Sequence, residues 1–161
     1  MKMEQLMSKQ LFTCRPEDTL QLAAGIMWER DIGCVPVVSE DGKLVGVITD
    51  RDIAMSAYLG GRPLAERRVS EAMSKEVFTV RVDDSIRQVE DVMRTKQVRR
   101  VPVIDEAGRP VGIVSLSDLT RTVLARSERD GVVGAVAVAA TLAAVTAPRT
   151  TPRKNPLVRV A

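Results

Sequence analysis

The feature that most constrains this chain is that it states one pattern twice. Residues 7–53, MSKQLFTCRPEDTLQLAAGIMWERDIGCVPVVSEDGKLVGVITDRDI, lie over residues 73–119, MSKEVFTVRVDDSIRQVEDVMRTKQVRRVPVIDEAGRPVGIVSLSDL, with no gap. Roughly a third of the paired positions are identical, and most others keep apolar over apolar or polar over polar. The likeness begins earlier, with MEQLM over VSEAM. Repetition of this kind predicts two copies of one supersecondary unit that bury a shared core. With 161 residues and 45% hydrophobic content, the chain is long enough for one compact domain.

Each copy reads as β-α-β-β-α. A short β-prone stretch (11–14, 77–80) leads to a turn and helix cap at 16–19 and 83–85. The helix shows apolar residues at helical spacing: Leu20, Ala23, Ala24 and Met27, then Ile86, Val89, Val92 and Met93. VPVV and VPVI follow as short strands whose Pro36 and Pro102 predict an edge or a bulge. Asp41-Gly42 and Ala107-Gly108 supply hairpin turns. Apolar strands at 44–49 and 111–115 then run into final helices opening at Asp50 and Leu116. The expected fold class is α+β (α/β), two tandem repeats with pseudo-twofold symmetry. The expected division is 1–60 for repeat 1, 61–68 for a linker, 69–126 for repeat 2, and 127–161 for a C-terminal helix and basic tail. The linker, GRPLAERR with the preceding Gly60, joins helix-ending glycine to a proline that prevents resumption.

These residues carry a resemblance. The V-x-x-x-M opening, the VPVV and VPVI strands, and two copies of a G-h-h-[ST]-x-x-D motif resemble a pair of CBS domains, the Bateman module. The motif copies are Gly46-Val47-Ile48-Thr49-Asp50-Arg51-Asp52 and Gly112-Ile113-Val114-Ser115-Leu116-Ser117-Asp118. The resemblance covers about residues 1–126. It implies adenosyl ligands (AMP, ADP, ATP or S-adenosylmethionine) in clefts between the copies, and pairing of modules into a homodimer. It places Asp52 and Asp118 on the ribose hydroxyls, with Thr49 and Ser115 beside them. Amides at the helix start suit a phosphate. Gly46 and Gly112 are expected to leave room for the ligand.

The same spacing has a plainer reading, since Thr49-x-x-Asp52 and Ser115-x-x-Asp118 also match helix-capping boxes. The two roles are compatible. Phosphate candidates are Arg51, Arg99 and Arg100, because guanidinium grips phosphate oxygens bidentately; solvated surface arginine is the alternative for each. Ile32, Cys34 and Val98 are candidates to sandwich the base, or else plain core. The copies differ here, Gly33-Cys34 against Arg99-Arg100, which predicts unequal sites.

Composition removes other classes. The chain has no His, hence no imidazole base or metal ligand, and its two cysteines form no CxxC pair. Cys14 and Cys34 read as buried small hydrophobes or, alternatively, as a thiol switch. No nucleophile–base pair is visible, so an enzyme is not expected and neither is a cofactor or metal. A net charge of +3 with 2% aromatic residues gives no case for nucleic acid. The opening residues lack a signal peptide's apolar run, which points to the cytoplasm. Residues 131–146 are small, apolar and uncharged, at the lower length limit of a membrane span. A helix packed on the module or on a second subunit is the expectation, followed by a solvated basic tail. The function expected is a regulatory adenosyl-ligand sensor acting on an effector protein in trans. The alternative is a ligand-free CBS dimerisation scaffold.

Overall fold

The computed structural model describes residues 3–122 and 133–147. Copy one contains α1 (Leu20–Arg30), β1 (Cys34–Val38), β2 (Leu44–Thr49) and α2 (Asp50–Gly60). Copy two contains β3 (Val80–Arg81), α3 (Ile86–Lys96), β4 (Arg100–Ile104), β5 (Pro110–Ser115) and α4 (116–122). A last helix, α5 (Val133–Thr146), follows. The mixed α+β architecture and its two repeats are as the sequence implies.

Local chemistry sets the boundaries at matching places. Thr19 caps α1 by accepting the Leu22 N–H, and Ser85 caps α3 with Gln88 closing a capping box. Both helices end on a left-handed residue that is not glycine, Asp31 (φ 51°) and Gln97 (φ 50°), each returning its N–H to the last turn. Asp and Asn-like side chains tolerate this region best, and the turn sends the chain straight into β1 or β4. The hairpins turn through Gly42 and Gly108, both at φ 79°, where a side chain would be strained.

The strands preceding each first helix are shorter than their apolar pattern suggests. Copy two keeps two residues, Val80–Arg81, paired parallel to Val103 and Ile104. Copy one keeps only a bridge from Cys14 to Val37. The proline-bearing strands are correspondingly internal: β4 lies between β3 and β5. Their prolines are accommodated because the parallel partner starts beyond them; Cys14 donates to Pro36 C=O and accepts from Val38 N–H. The register slips right after, between Val37 and Val38 and between Val103 and Ile104.

The two copies exchange their leading segments. Ser8 pairs with Ile113 of β5 through N–H···O=C bonds of 2.9 and 3.1 Å. Ser74 pairs with Val47 of β2 through bonds of 2.9 and 3.0 Å. Each copy's sheet is thus completed by the other copy's leader. Packing follows the same exchange: Met3 and Leu6 join the copy-two core around Val89, Met93, Val101 and Val114. Val69 joins the copy-one core around Leu20, Met27, Val35 and Ile48.

The exchange explains Gly46 and Gly112, and corrects their expected role. A Cβ on Gly46 would sit 2.8 Å from Met73 Sδ and 3.1 Å from the Ser74 carbonyl, and one on Gly112 would collide with Met7. The glycines make room for the crossing leader, not for a ligand. The hairpin tips also touch across the pseudo-twofold axis, with Leu44 N–H donating 3.0 Å to Gly108 C=O.

Helix α5 packs on α3. Val138 and Val145 enter the copy-two core, and Gln97 Nε2 donates to Ala144 C=O at 3.3 Å. No helix among the described residues is long and apolar enough to cross a membrane. The basic tail expected at the end lies outside the described residues.

Candidate functional site

The motif residues sit where β2 meets α2 and where β5 meets α4. Thr49 Oγ1 accepts from Asp52 N–H at 3.2 Å, while Asp52 Oδ2 accepts from Thr49 N–H (3.1 Å) and hydroxyl (2.7 Å). Ser115 and Asp118 repeat this with 3.2, 2.8 and 2.6 Å. Both are complete capping boxes, so the plain reading of the spacing holds in each copy. In each copy a single carboxylate oxygen, Oδ2, makes the capping bonds.

A cleft of about 770 Å³ opens over the Ser115–Asp118 turn. Copy two supplies its floor through Ser115, Ser117 and Asp118, and copy one supplies a wall through Phe12, Ile32, Cys34 and Pro36. Arg99, Arg100 and Arg121 also face it, with Asp31 at the edge and Leu142 and Thr146 of α5 at the rim. The volume suits a nucleotide-sized ligand. Asp118 is buried, and its Oδ1 lies 2.5 Å from Arg121 Nη2.

The expected site residues therefore separate into two groups. Ser115, Asp118, Arg99, Arg100, Ile32 and Cys34 converge on this one cleft. Thr49, Asp52, Arg51 and Val98 do not line it. Arg51 is exposed, and its N–H is held by Asp50 Oδ1 at 2.7 Å. Val98 packs against the copy-two core. The separation has a simple cause. The cleft joins the motif of copy two to both pre-strand segments, Ile32 and Cys34 from copy one and Arg99 and Arg100 from copy two, while Val98, the counterpart of Ile32, does not reach it.

Cys34 forms part of the apolar wall as a neutral thiol. Burial pushes its pKa up to about 11; Arg100 pulls it down, less strongly, while Asp52 and Asp50 add to the rise. Cys14 is pushed to about 12 by burial, with Asp18 and Cys34 contributing. Neither is poised as a nucleophile, which favours the hydrophobe reading over the thiol switch. Among the described residues, no group of three or more His, Cys, Asp or Glu is placed to hold a metal.

Three residues in the cleft escaped the sequence reading. Arg121 lies one helical turn beyond Asp118, a spacing that brings side chains together, but its counterpart in copy one is Met55 and the repeat gave no hint. Phe12 and its counterpart Phe78 were visible as a matched pair, each under a cation, Arg30 at 4.6 Å and Lys96 at 4.8 Å. Leu142 had no signal, since nothing in residues 131–146 says where that helix docks.

The CBS domain model matches the chain twice, over residues 3–57 and 69–125. The chain belongs to the CBS family. CBS domain-containing protein YhcV of Bacillus subtilis is 40% identical over 113 residues, covering 70% of this chain and 79% of that protein. Hypoxic response protein 1 of Mycobacterium tuberculosis is 40% identical over 110 residues, covering 68% and 76%. Other relatives carry the CBS pair as a minor part of an enzyme: in homoserine O-acetyltransferase of Methanococcus vannielii the match, 31% identical and spanning 74% of this chain, takes up 24% of the protein. Among solved structures, the CBS domain pair of protein MJ0100 in complex with 5-methylthioadenosine and S-adenosyl-L-methionine superposes with a TM-score of 0.71 at 30% identity. It covers 78% of this chain and 98% of that one.

Proposed function

We propose that this CBS pair is a regulatory sensor of adenine nucleotides, with its principal site in the cleft above Asp118. The observation that carries this reading is the convergence of Asp118, Ser115, Arg99 and Arg100 with an apolar wall from the opposite copy. A ribose presents two neighbouring hydroxyls, and a carboxylate accepts from both. Ser115 holds Asp118 in the orientation this requires, through the 2.8 and 2.6 Å bonds to Oδ2. The base fits between Ile32, Cys34 and Pro36, which present an apolar surface. The phosphates extend toward Arg99 and Arg100, where charge-assisted bonds are strongest. The MJ0100 pair, which holds adenosyl compounds, supports the ligand class.

A ligand bound here touches both copies, so it favours one relative arrangement of them. It shifts that equilibrium only by its differential affinity for the two arrangements. The output is read by a partner protein in trans, in the cytoplasm, with a homodimer as the working unit. The chemistry supplies recognition and no catalysis.

The test is thermal unfolding of the full chain with AMP, ADP, ATP, NAD, S-adenosylmethionine and cyclic dinucleotides. A ligand present at 100 times its dissociation constant adds about 2.7 kcal/mol of stability. Stabilisation that is abolished by Asp118→Ala supports the reading. Absence of stabilisation by every compound would leave the scaffold reading, which the capping role of both motif turns favours.

A further inference from the structure

We infer that Arg121 is a latch on the ribose-binding carboxylate, and that it makes the cleft select phosphorylated nucleotides over uncharged or sulfonium nucleosides. This rests on the assignment of Asp118 to the ribose. Asp118 Oδ2 is committed to the turn by the Ser115 N–H and hydroxyl, at 2.8 and 2.6 Å. Oδ1 is the oxygen left for a diol, and Arg121 Nη2 occupies it at 2.5 Å. Asp118 is buried while the Arg121 side chain is 74% exposed, so the arginine is the partner free to swing.

A diol arriving at Oδ1 displaces the guanidinium. Where Arg121 goes next decides the specificity. It faces the same cleft as Arg99 and Arg100, so its release leaves three guanidinium groups lining one space. A phosphate gives Arg121 a new anionic partner and replaces the lost pair. A nucleoside without phosphate offers nothing in return, and a sulfonium adds a fourth positive charge to the same space. Copy one has Met55 at this position and so has no latch.

The test is calorimetric titration of wild type and Arg121→Gln with adenosine and with ADP. Loss of a charge-assisted phosphate contact weakens ADP by about tenfold or more. Removal from Oδ1 of an ion pair whose arginine is largely exposed tightens adenosine by about two- to fivefold. The latch thus predicts shifts of opposite sign for the two ligands. Shifts of the same sign, or adenosine unchanged while ADP weakens, overturn it. A second measurement needs no variant: raising salt from low ionic strength weakens ADP binding to wild type but tightens adenosine, as the pair is screened. Adenosine weakened by salt overturns the latch as well. If wild type binds neither compound, the nucleotide reading itself falls, and the latch with it.

Discussion

Copy one and copy two share a backbone plan but differ in what covers them. In copy two, α5 lies on α3 and closes the core with Val138 and Val145. Among the described residues of copy one, Trp28 is 89% exposed, and Leu22, Tyr58 and Leu59 are also exposed. The motif turns differ in parallel. Asp118 sits beneath a cleft rimmed by α5, whereas Thr49 and Asp52 lie away from it. The two halves of the duplicated sequence thus differ in what surrounds them, while the capping box is kept in both.

The largest effect should come from uncovering the copy-two core. The pair Val138→Ala and Val145→Ala removes two methylene equivalents at each position, costing about 3 kcal/mol together. Urea unfolding measures it. A cost below about 1 kcal/mol would mean that α5 is an ornament and that the two halves are equally self-sufficient.

Next comes the inequality of the turns. Asp118→Ala should weaken nucleotide binding by about ten- to a hundredfold. Asp52→Ala should change it by less than about threefold, since Asp52 does not line the cleft. Each also loses a cap, worth ~1 kcal/mol of stability. Equal losses of affinity in calorimetry would erase the distinction drawn between the turns.

The leader crossings give a smaller test. Gly46→Ala should cost about 2 kcal/mol, because the Ser74 carbonyl at 3.1 Å is backbone and cannot rotate away. Gly112→Ala should cost less, and Met7→Ala should relieve it, because the atoms in the way belong to a side chain. The smallest effect is at Trp28: Trp28→Ala should alter monomer stability by no more than about 0.5 kcal/mol. A loss of self-association in the same variant, read by sedimentation, would show what that exposed side chain is for.

Much of this was legible before any coordinates. The gapless repeat exposed the element order, the hairpin glycines and both capping turns, because all of these are local and each copy checks the other. What stayed hidden was relational. An alignment of two equal halves does not say whether residues 3–8 complete their own sheet or the neighbour's, and the bond between Ser8 and Ile113 is the answer. Gly46 and Gly112 were misread for that reason: their need for space was plain, but its occupant was a methionine from across the axis. Val98 was grouped with Ile32 by symmetry, although the cleft takes in Ile32 and leaves out Val98. Arg121 was overlooked because the comparison of copies highlights what is shared.

The crossing of residues 3–8 and 69–74 bears on how the chain folds. A single half on its own would lack the leader that completes its sheet and would close it only by trading openings with a twin, so its assembly would depend on concentration. Residues 61–68 tether the twins, replacing dilute encounter with a local concentration on the order of millimolar. Severing that tether should therefore yield two polypeptides that are each incomplete when separate yet reconstitute a whole when mixed.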